Sequence, residues 1–285
     1  MSELISKSKG KKGLSYFDEK IARDFNRLKY IETHLVKAIS KKSFSIHLQP
    51  QVEVKSGKIV GFESLARWEV SEFGNISPVE FIPVAEQQGV VSDLDLLIAE
   101  NTILVTKYLI NKNLISNSFC VSFNFSIETL LNLEVIEKLK LFIIENEIAS
   151  HYFQIELTET QLISDKEQVL HILNDLKLFG FSVALDDFST GNSSIIHLAS
   201  LPFDTVKLDR ELLLLTCNQG CEHNQYFQSV ISMVKNFNLK IVAEGVENER
   251  ARELVIENGI DIIQGYYYYK PMPFNKLVSI LLNQK

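Results

Sequence analysis

A chain of 285 residues, 46% hydrophobic and 23% charged, is long enough for one large or two small globular domains with an ample core. Its formal net charge of -7 argues against a nucleic-acid duplex or an anionic membrane as the main partner. No apolar run approaches spanning length and the start lacks a signal-peptide core, so membrane insertion is not expected. Cys120, Cys217 and Cys221 are too few and too clustered for a disulfide framework, which makes a reducing cytoplasm the expected setting.

Residues 1–15 place Lys7, Lys9, Lys11 and Lys12 among Ser and Gly, the composition of a basic, solvated leader. Over 16–40, Phe17, Ile21, Phe25, Leu28, Ile31, Leu35 and Ala38 recur at helical spacing. That predicts a leading helix, packed on the domain or on a partner. Strands are predicted over 44–54 and 58–68. The three residues between them cannot make a parallel crossover, so these two strands should be antiparallel neighbours. Helix and strand then alternate. Helices read at 78–88, 93–111, 127–146, 164–179, 193–200, 221–238, 248–258 and 274–282. Strands read at 119–125, 153–157, 182–186, 205–208, 240–244 and 261–264. Eight strands in this rhythm predict one α/β domain over 41–285, a TIM-like (β/α)8 barrel variant with the first strand antiparallel to the rest. An open doubly wound sheet is the alternative.

The clearest single stretch is VALDDFSTGNSSIIHLASLPFDTVKLDR, residues 183–210. It reads as a βαβ unit whose first strand stops on Asp186 and Asp187 and whose second carries Lys207, at the strand ends where parallel α/β folds house their chemistry. Alone, an Asp pair caps a helix or solvates a loop. Strand parity enlarges the set. With Phe62, Ser64, Ala66 and Trp68 turned under helices, Glu63 and Arg67 face inward; so do Asn124, Glu156, Lys207 and Glu244, and Gln264 ends the last strand. Carboxylates converging in one mouth must be neutralised by protons or cations. Oxygen ligands from Glu, Asp and an Asn amide favour Mg²⁺ or Mn²⁺ over zinc, and an acidic site of this size suits two ions that activate water for attack on a phosphodiester. Lys207 and Arg67 would then hold phosphate oxygens or orient the water.

With those residues in place, the chain resembles the EAL-domain family of cyclic di-GMP phosphodiesterases from about residue 44 to 274. HLQPQVEVKSGKIVGFESLARW, FIPVAEQQG, VSFNFS, IELTET, VALDDFSTG, FDTVKLDR, IVAEGVEN and IIQGYYYYKPMP follow in the family's order. The resemblance implies Mg²⁺- or Mn²⁺-dependent opening of cyclic di-GMP to linear pGpG. It places metal ligands at Glu63, Asn124, Glu156 and Asp186, with Asp187 bridging toward a second ion. It gives Lys207 the attacking water and Glu244 general-base or metal-linked work. Gln49, Pro50, Leu65, Arg67, Asp209, Glu247 and Gln264 become substrate-binding positions. Glu159 would steady the loop after the Asp pair, and a homodimer is implied. A catalytically weak receptor or interaction module, with a protein partner reached through the N-terminal region, is the alternative function.

Three positions depart from the family pattern. Ser64 stands where the signature Glu-Ala-Leu has Ala, but parity puts it on the face away from the ligand. Ser189 replaces a frequent Gly and Asn192 a frequent aromatic, which bears on rate more than on chemistry. Among smaller signals, Cys217, Cys221 and His223 offer only three ligands, so zinc is not expected. His47 faces inward beside the site, as a base contact or a core histidine, and Tyr266–Tyr269 reads as packing with base stacking open to one ring.

Overall fold

A computed structural model describes residues 19–158, 166–188, 194–218 and 220–284. Two long strands open the barrel, β1 (Ser45–Glu53) and β2 (Ile59–Val70), paired antiparallel with Gln49 opposite Glu63. Alternation sorts their side chains: Leu48, Val52 and Phe62 are fully buried in the apolar layer, while Gln49, Gln51 and Glu63 turn toward the barrel axis. A short strand absent from the predicted set, β3 (Gly74–Ile76), folds back on the end of β2 and pairs Ile76 with Trp68.

The remaining strands are β4 (Cys120–Asn124), β5 (Phe153–Thr158), β6 (Ser182–Phe188), β7 (Thr205–Leu208), β8 (Lys240–Ala243) and β9 (Ile262–Ile263). From β2 through β4 to β9 each pairs parallel with the next, and β1 closes the ring by pairing antiparallel with both β9 and β2. Eight strands therefore form a closed mixed barrel, with β3 hanging outside it. Closure leaves no unpaired inner edge. The open doubly wound sheet is excluded.

Helices lie outside: α1 (Glu19–Ser40), α2 (Pro78–Gln87), α3 (Val91–Asn111), α4 (Ile127–Leu131), α5 (Leu133–Glu145), α6 (Lys166–Phe179), α7 (Ser194–Ser200), α8 (Arg210–Asn218), α9 (Gly220–Asn236), α10 (Glu249–Glu257) and α11 (Phe274–Asn283). The helix expected over 127–146 is two. Asn132 ends α4 and its side chain accepts the Val135 N–H that starts α5. α8 was not expected at all.

The choice left open for the leading helix goes to the domain. Ile31, Leu35, Ala38 and Ile39 of α1 are buried with Phe44, Trp68, Ile76 and Phe81 in a second apolar cluster beside the barrel, and Arg27 ties α1 to Glu80 and to the carbonyls of Phe73 and Asn75. Residues 1–18, including the basic leader, lie outside the described set. Among the described residues no helix is long and apolar enough to cross a membrane.

Candidate active site

At the carboxyl ends of the parallel strands a cavity of about 360 Å³ is lined by Gln49 from β1, Glu63 from β2, Asp186 and Asp187 from β6, and Lys207 from β7. Arg210 at the start of α8, with Asp209, Glu244, Gly245, Glu247, Gln264, Gly265 and Tyr266 from the segments after the strands, completes the lining. Register contributes to the gathering, because residues paired across adjacent parallel strands face the same side of the sheet. Glu63 pairs beside Ser122, Asn124 beside Glu156, and Lys207 beside Val242.

Lys207 is the centre of the charge. It is 1% exposed, and its Nζ lies 2.7 Å from Glu156, 2.8 Å from Glu244, 3.1 Å from Asp186 and 3.3 Å from Glu63. Burial works against its ammonium, but Asp186, Glu156, Glu244 and Glu63 together hold its pKa well above the ordinary lysine range. One cation cannot balance four carboxylates, and the acids respond. Burial drives Glu156 well up and Asp186 up, against the pull of Lys207. Burial lifts Glu244 to about 8. Burial and the charges of Asp186 and Asp209 lift Asp187 to about 6. Glu63 goes the other way: burial raises it, but Lys207 and hydrogen bonds from Gln264 and Asn124 outweigh that and hold it low.

A chain of amides fixes the wall opposite. Gln51 Nε2 donates to Gln264 Oε1 at 2.9 Å, Gln264 Nε2 donates to Glu63, and Asn124 Nδ2 donates to Glu63 Oε1 at 2.9 Å. Asp187 sits at φ 52, in the left-handed region that few residues other than glycine occupy, and its N–H donates to Asp186 Oδ1 at 2.9 Å. The turn aims consecutive carboxylates at one space.

The donors fit a hard divalent cation. Glu63, Glu156 and Asp186 bring oxygens within 4.8 Å of one another, and so do Asp186, Asp187 and Glu244. Glu156 Oε1 is buried with no hydrogen-bond partner, a lone pair of the kind that a metal would satisfy. Asn124, whose amide oxygen is its ligand atom, is bonded to Glu63 through nitrogen and leaves that oxygen available.

Other expected positions stand further off. Leu65 and Arg67 continue β2 beyond Glu63 on the same face, opposite His47 and Ser45, and Arg67 donates to the Ala66 carbonyl at 2.7 Å rather than lining the cavity. Pro50 pairs with Phe62, on the opposite face of the strand from Gln49. Ser64 is 2% exposed with its hydroxyl 2.6 Å from that of Thr102 on α3, as parity required. Glu159, Ser189 and Asn192 lie outside the described residues, as do the side chains of Cys217, Cys221 and His223. Sequence reasoning missed Gln51 and Arg210. Gln51 was signalled only by sharing parity with Gln49, and Arg210 only by following Asp209 out of the strand.

A family model described as the EAL domain matches residues 32–271. The chain is 30% identical over 262 residues to "Probable cyclic di-GMP phosphodiesterase PdeG" of Escherichia coli (strain K12), covering 92% of this chain and 51% of that protein. It is 25% identical over 274 residues to "Bifunctional diguanylate cyclase/cyclic di-GMP phosphodiesterase MucR" of Pseudomonas aeruginosa, covering 96% of this chain and 40% of that one. The chain thus spans about half or less of the length of these curated relatives. Among solved structures, "PaMucR Phosphodiesterase, c-di-GMP complex" superposes with a TM-score of 0.80 at 26% identity, over 87% of this chain and 99% of that one. An EAL domain protein from Listeria monocytogenes EGD-e gives 0.75 at 25% identity, over 87% and 96%. The chain belongs to the EAL domain family.

Proposed function

We propose that this EAL-domain chain hydrolyses cyclic di-GMP to linear pGpG in the cytoplasm, with Mg²⁺ or Mn²⁺ held by Glu63, Asn124, Glu156, Asp186 and Asp187. The observation that carries the reading is the convergence of Glu63, Glu156, Asp186 and Glu244 around the buried cation Lys207. So acidic a site repels phosphate unless cations join it, and a bound divalent ion pair supplies a polarised phosphoryl group and an activated water. The chain's own residues do the rest. Lys207, whose three donors are shared among four carboxylates, turns one of them to the attacking water and holds it in line with the scissile bond. Glu244, in its ionised form, accepts the proton that the water loses. The water oxygen joins phosphorus, the bond from phosphorus to the ribose 3′ oxygen breaks, and that oxygen takes a proton from solvent to leave as the 3′ hydroxyl of pGpG, while Glu244 returns its proton to solvent. Gln49, Asp209, Glu247 and Gln264 line the walls that orient the dinucleotide, with Leu65 and Arg67 at its outer reach and Pro50 behind Gln49 on the other face of β1. The barrel unit we assign is 41–285. The homodimer, the contribution of Glu159 and a partner reached through the N-terminal region belong to the same proposal.

Chromatography of cyclic di-GMP after incubation with the protein, in Mg²⁺, in Mn²⁺ and in EDTA, tests this, with Glu63→Ala alongside to exclude a contaminating nuclease. Metal-dependent pGpG that vanishes in the variant is the expected result. Intact dinucleotide in every tube overturns hydrolysis, and tight binding without turnover identifies a receptor instead.

A further inference from the structure

Arg210 opens α8 at the rim of the cavity and is joined to the loop after β8 in two ways. Its Nη2 donates to Glu247 Oε2 at 2.9 Å. Its aliphatic stem fills the place where a side chain would stand at Gly245: a Cβ built there meets Arg210 Cγ at 2.4 Å and Arg210 Cβ at 2.6 Å. Gly245 also sits at φ 62, where an L side chain is strained. The glycine is thus demanded twice, by its own backbone and by the arginine stem lying across it.

Below this contact Lys207 meets Glu244 at 2.8 Å, and Glu244 N–H donates to the Leu208 carbonyl at 3.1 Å. The segments after β7 and β8 are therefore clasped by two cation–carboxylate rungs, one buried and one at the rim. The buried rung serves the reacting centre. The rim rung orients Glu247, whose side chain is 36% exposed and which, without a partner, would be free to swing into solvent. An ionised carboxylate only accepts hydrogen bonds and repels phosphate oxygens. Of the groups on a guanine dinucleotide, it suits the base edge, where N1–H and the N2 amine both donate.

We propose that Arg210 is a positioning residue that holds the Glu247 carboxylate against the Gly245 turn as an acceptor for a guanine edge, setting affinity and base selectivity rather than the rate of bond breaking. The inference rests on the cyclic di-GMP reading. Steady-state kinetics with cyclic di-GMP and with cyclic di-AMP, for wild type, Arg210→Gln, Arg210→Lys and Glu247→Gln, tests it, with thermal unfolding as the check on folding. Loss of one charge-assisted orientation should raise KM for cyclic di-GMP ~10-fold in Arg210→Gln, with kcat falling much less, and lower the preference for cyclic di-GMP over cyclic di-AMP by a similar factor. Arg210→Lys should recover part of both, because it keeps the charge and loses the planar fork. Independently, Gly245→Ala should lower the melting temperature less in an Arg210→Ala background than in wild type, because the stem it collides with is gone. Unchanged KM, a loss confined to kcat, or equal loss on both dinucleotides overturns the proposal while leaving the hydrolase reading intact. A wild-type protein that neither binds nor cleaves cyclic di-GMP removes both.

Discussion

Lys207 concentrates the physics of the site in one side chain. An ammonium that is 1% exposed persists in a barrel only because four carboxylates face it. Lys207→Ala should therefore leave an uncompensated acidic cluster and cost about 3–5 kcal/mol in EDTA, the usual penalty for breaking a buried charge cluster. Mn²⁺ should restore more of the melting temperature in this variant than it adds to wild type, since ion and ammonium answer the same charge. Equal Mn²⁺ shifts in the two proteins would show that the cluster does not hold the ion. Ser64 makes the opposite case. Its hydroxyl is satisfied by Thr102 on the helix side, so Ser64→Ala should change unfolding free energy by no more than about 1 kcal/mol and leave turnover intact in the chromatographic assay. That placement was legible in the sequence, because period-two alternation is a local rule that needs no tertiary information.

Asp95 on α3 is a buried acid outside the cavity. It accepts from the Ser126 N–H at 2.9 Å and the Thr129 hydroxyl at 2.6 Å, yet burial still lifts it to about 6. The folded protein keeps this proton through a window, from about pH 4 to 6, in which the unfolded chain has lost it. Stability therefore falls as pH rises through that window, on the order of 2–3 kcal/mol from this group. Urea unfolding at pH 4.5, 5.5 and 7 should show a flatter dependence for Asp95→Asn than for wild type.

At the scale of elements, α1 separates what periodicity reveals from what packing decides. One apolar stripe runs through the predicted helix, but only its later part is covered: Leu35 is 0% exposed, whereas Phe25 and Leu28 are each 45% exposed. Leu35→Ala should cost about 2–5 kcal/mol by urea unfolding, and Phe25→Ala within about 0.5 kcal/mol. Equal losses would mean that the early half of the stripe is also packed. Two elements escaped the sequence for physical reasons. β3 has three residues, too few for alternation to register, and is fixed by pairing with β2. α8 holds the run Leu212–Leu215, which helix and strand share, and its start is marked only by Asp209 accepting the Glu211 N–H.

For the whole molecule, the raised acids tie stability to metal and pH. Glu156, Asp186 and Glu244 all hold protons above their ordinary range, Glu244 to about 8. Without metal, the folded state binds more protons than the unfolded chain between about pH 4 and 8, so melting temperature in EDTA should fall as pH rises across that span. Divalent ions compete with those protons, so the stabilisation by Mn²⁺ should grow from pH 6 to 8. A shift independent of pH would place the ion elsewhere.

The sequence by itself determined the eight strands of the barrel, the antiparallel start and the face on which Glu63, Asn124, Glu156, Lys207 and Glu244 lie. Each follows from spacings within a few residues: a connection too short to cross over, and side chains alternating along a strand. Tertiary structure alone decided that Gln264 reaches Glu63 from 201 positions away, that Gln51 joins the same amide chain, and that Arg210 lies across Gly245 onto Glu247. It also left Arg67 beyond the cavity lining. Such contacts depend on barrel closure and on loop paths, which bring distant segments into register without leaving a mark on the residues near either one.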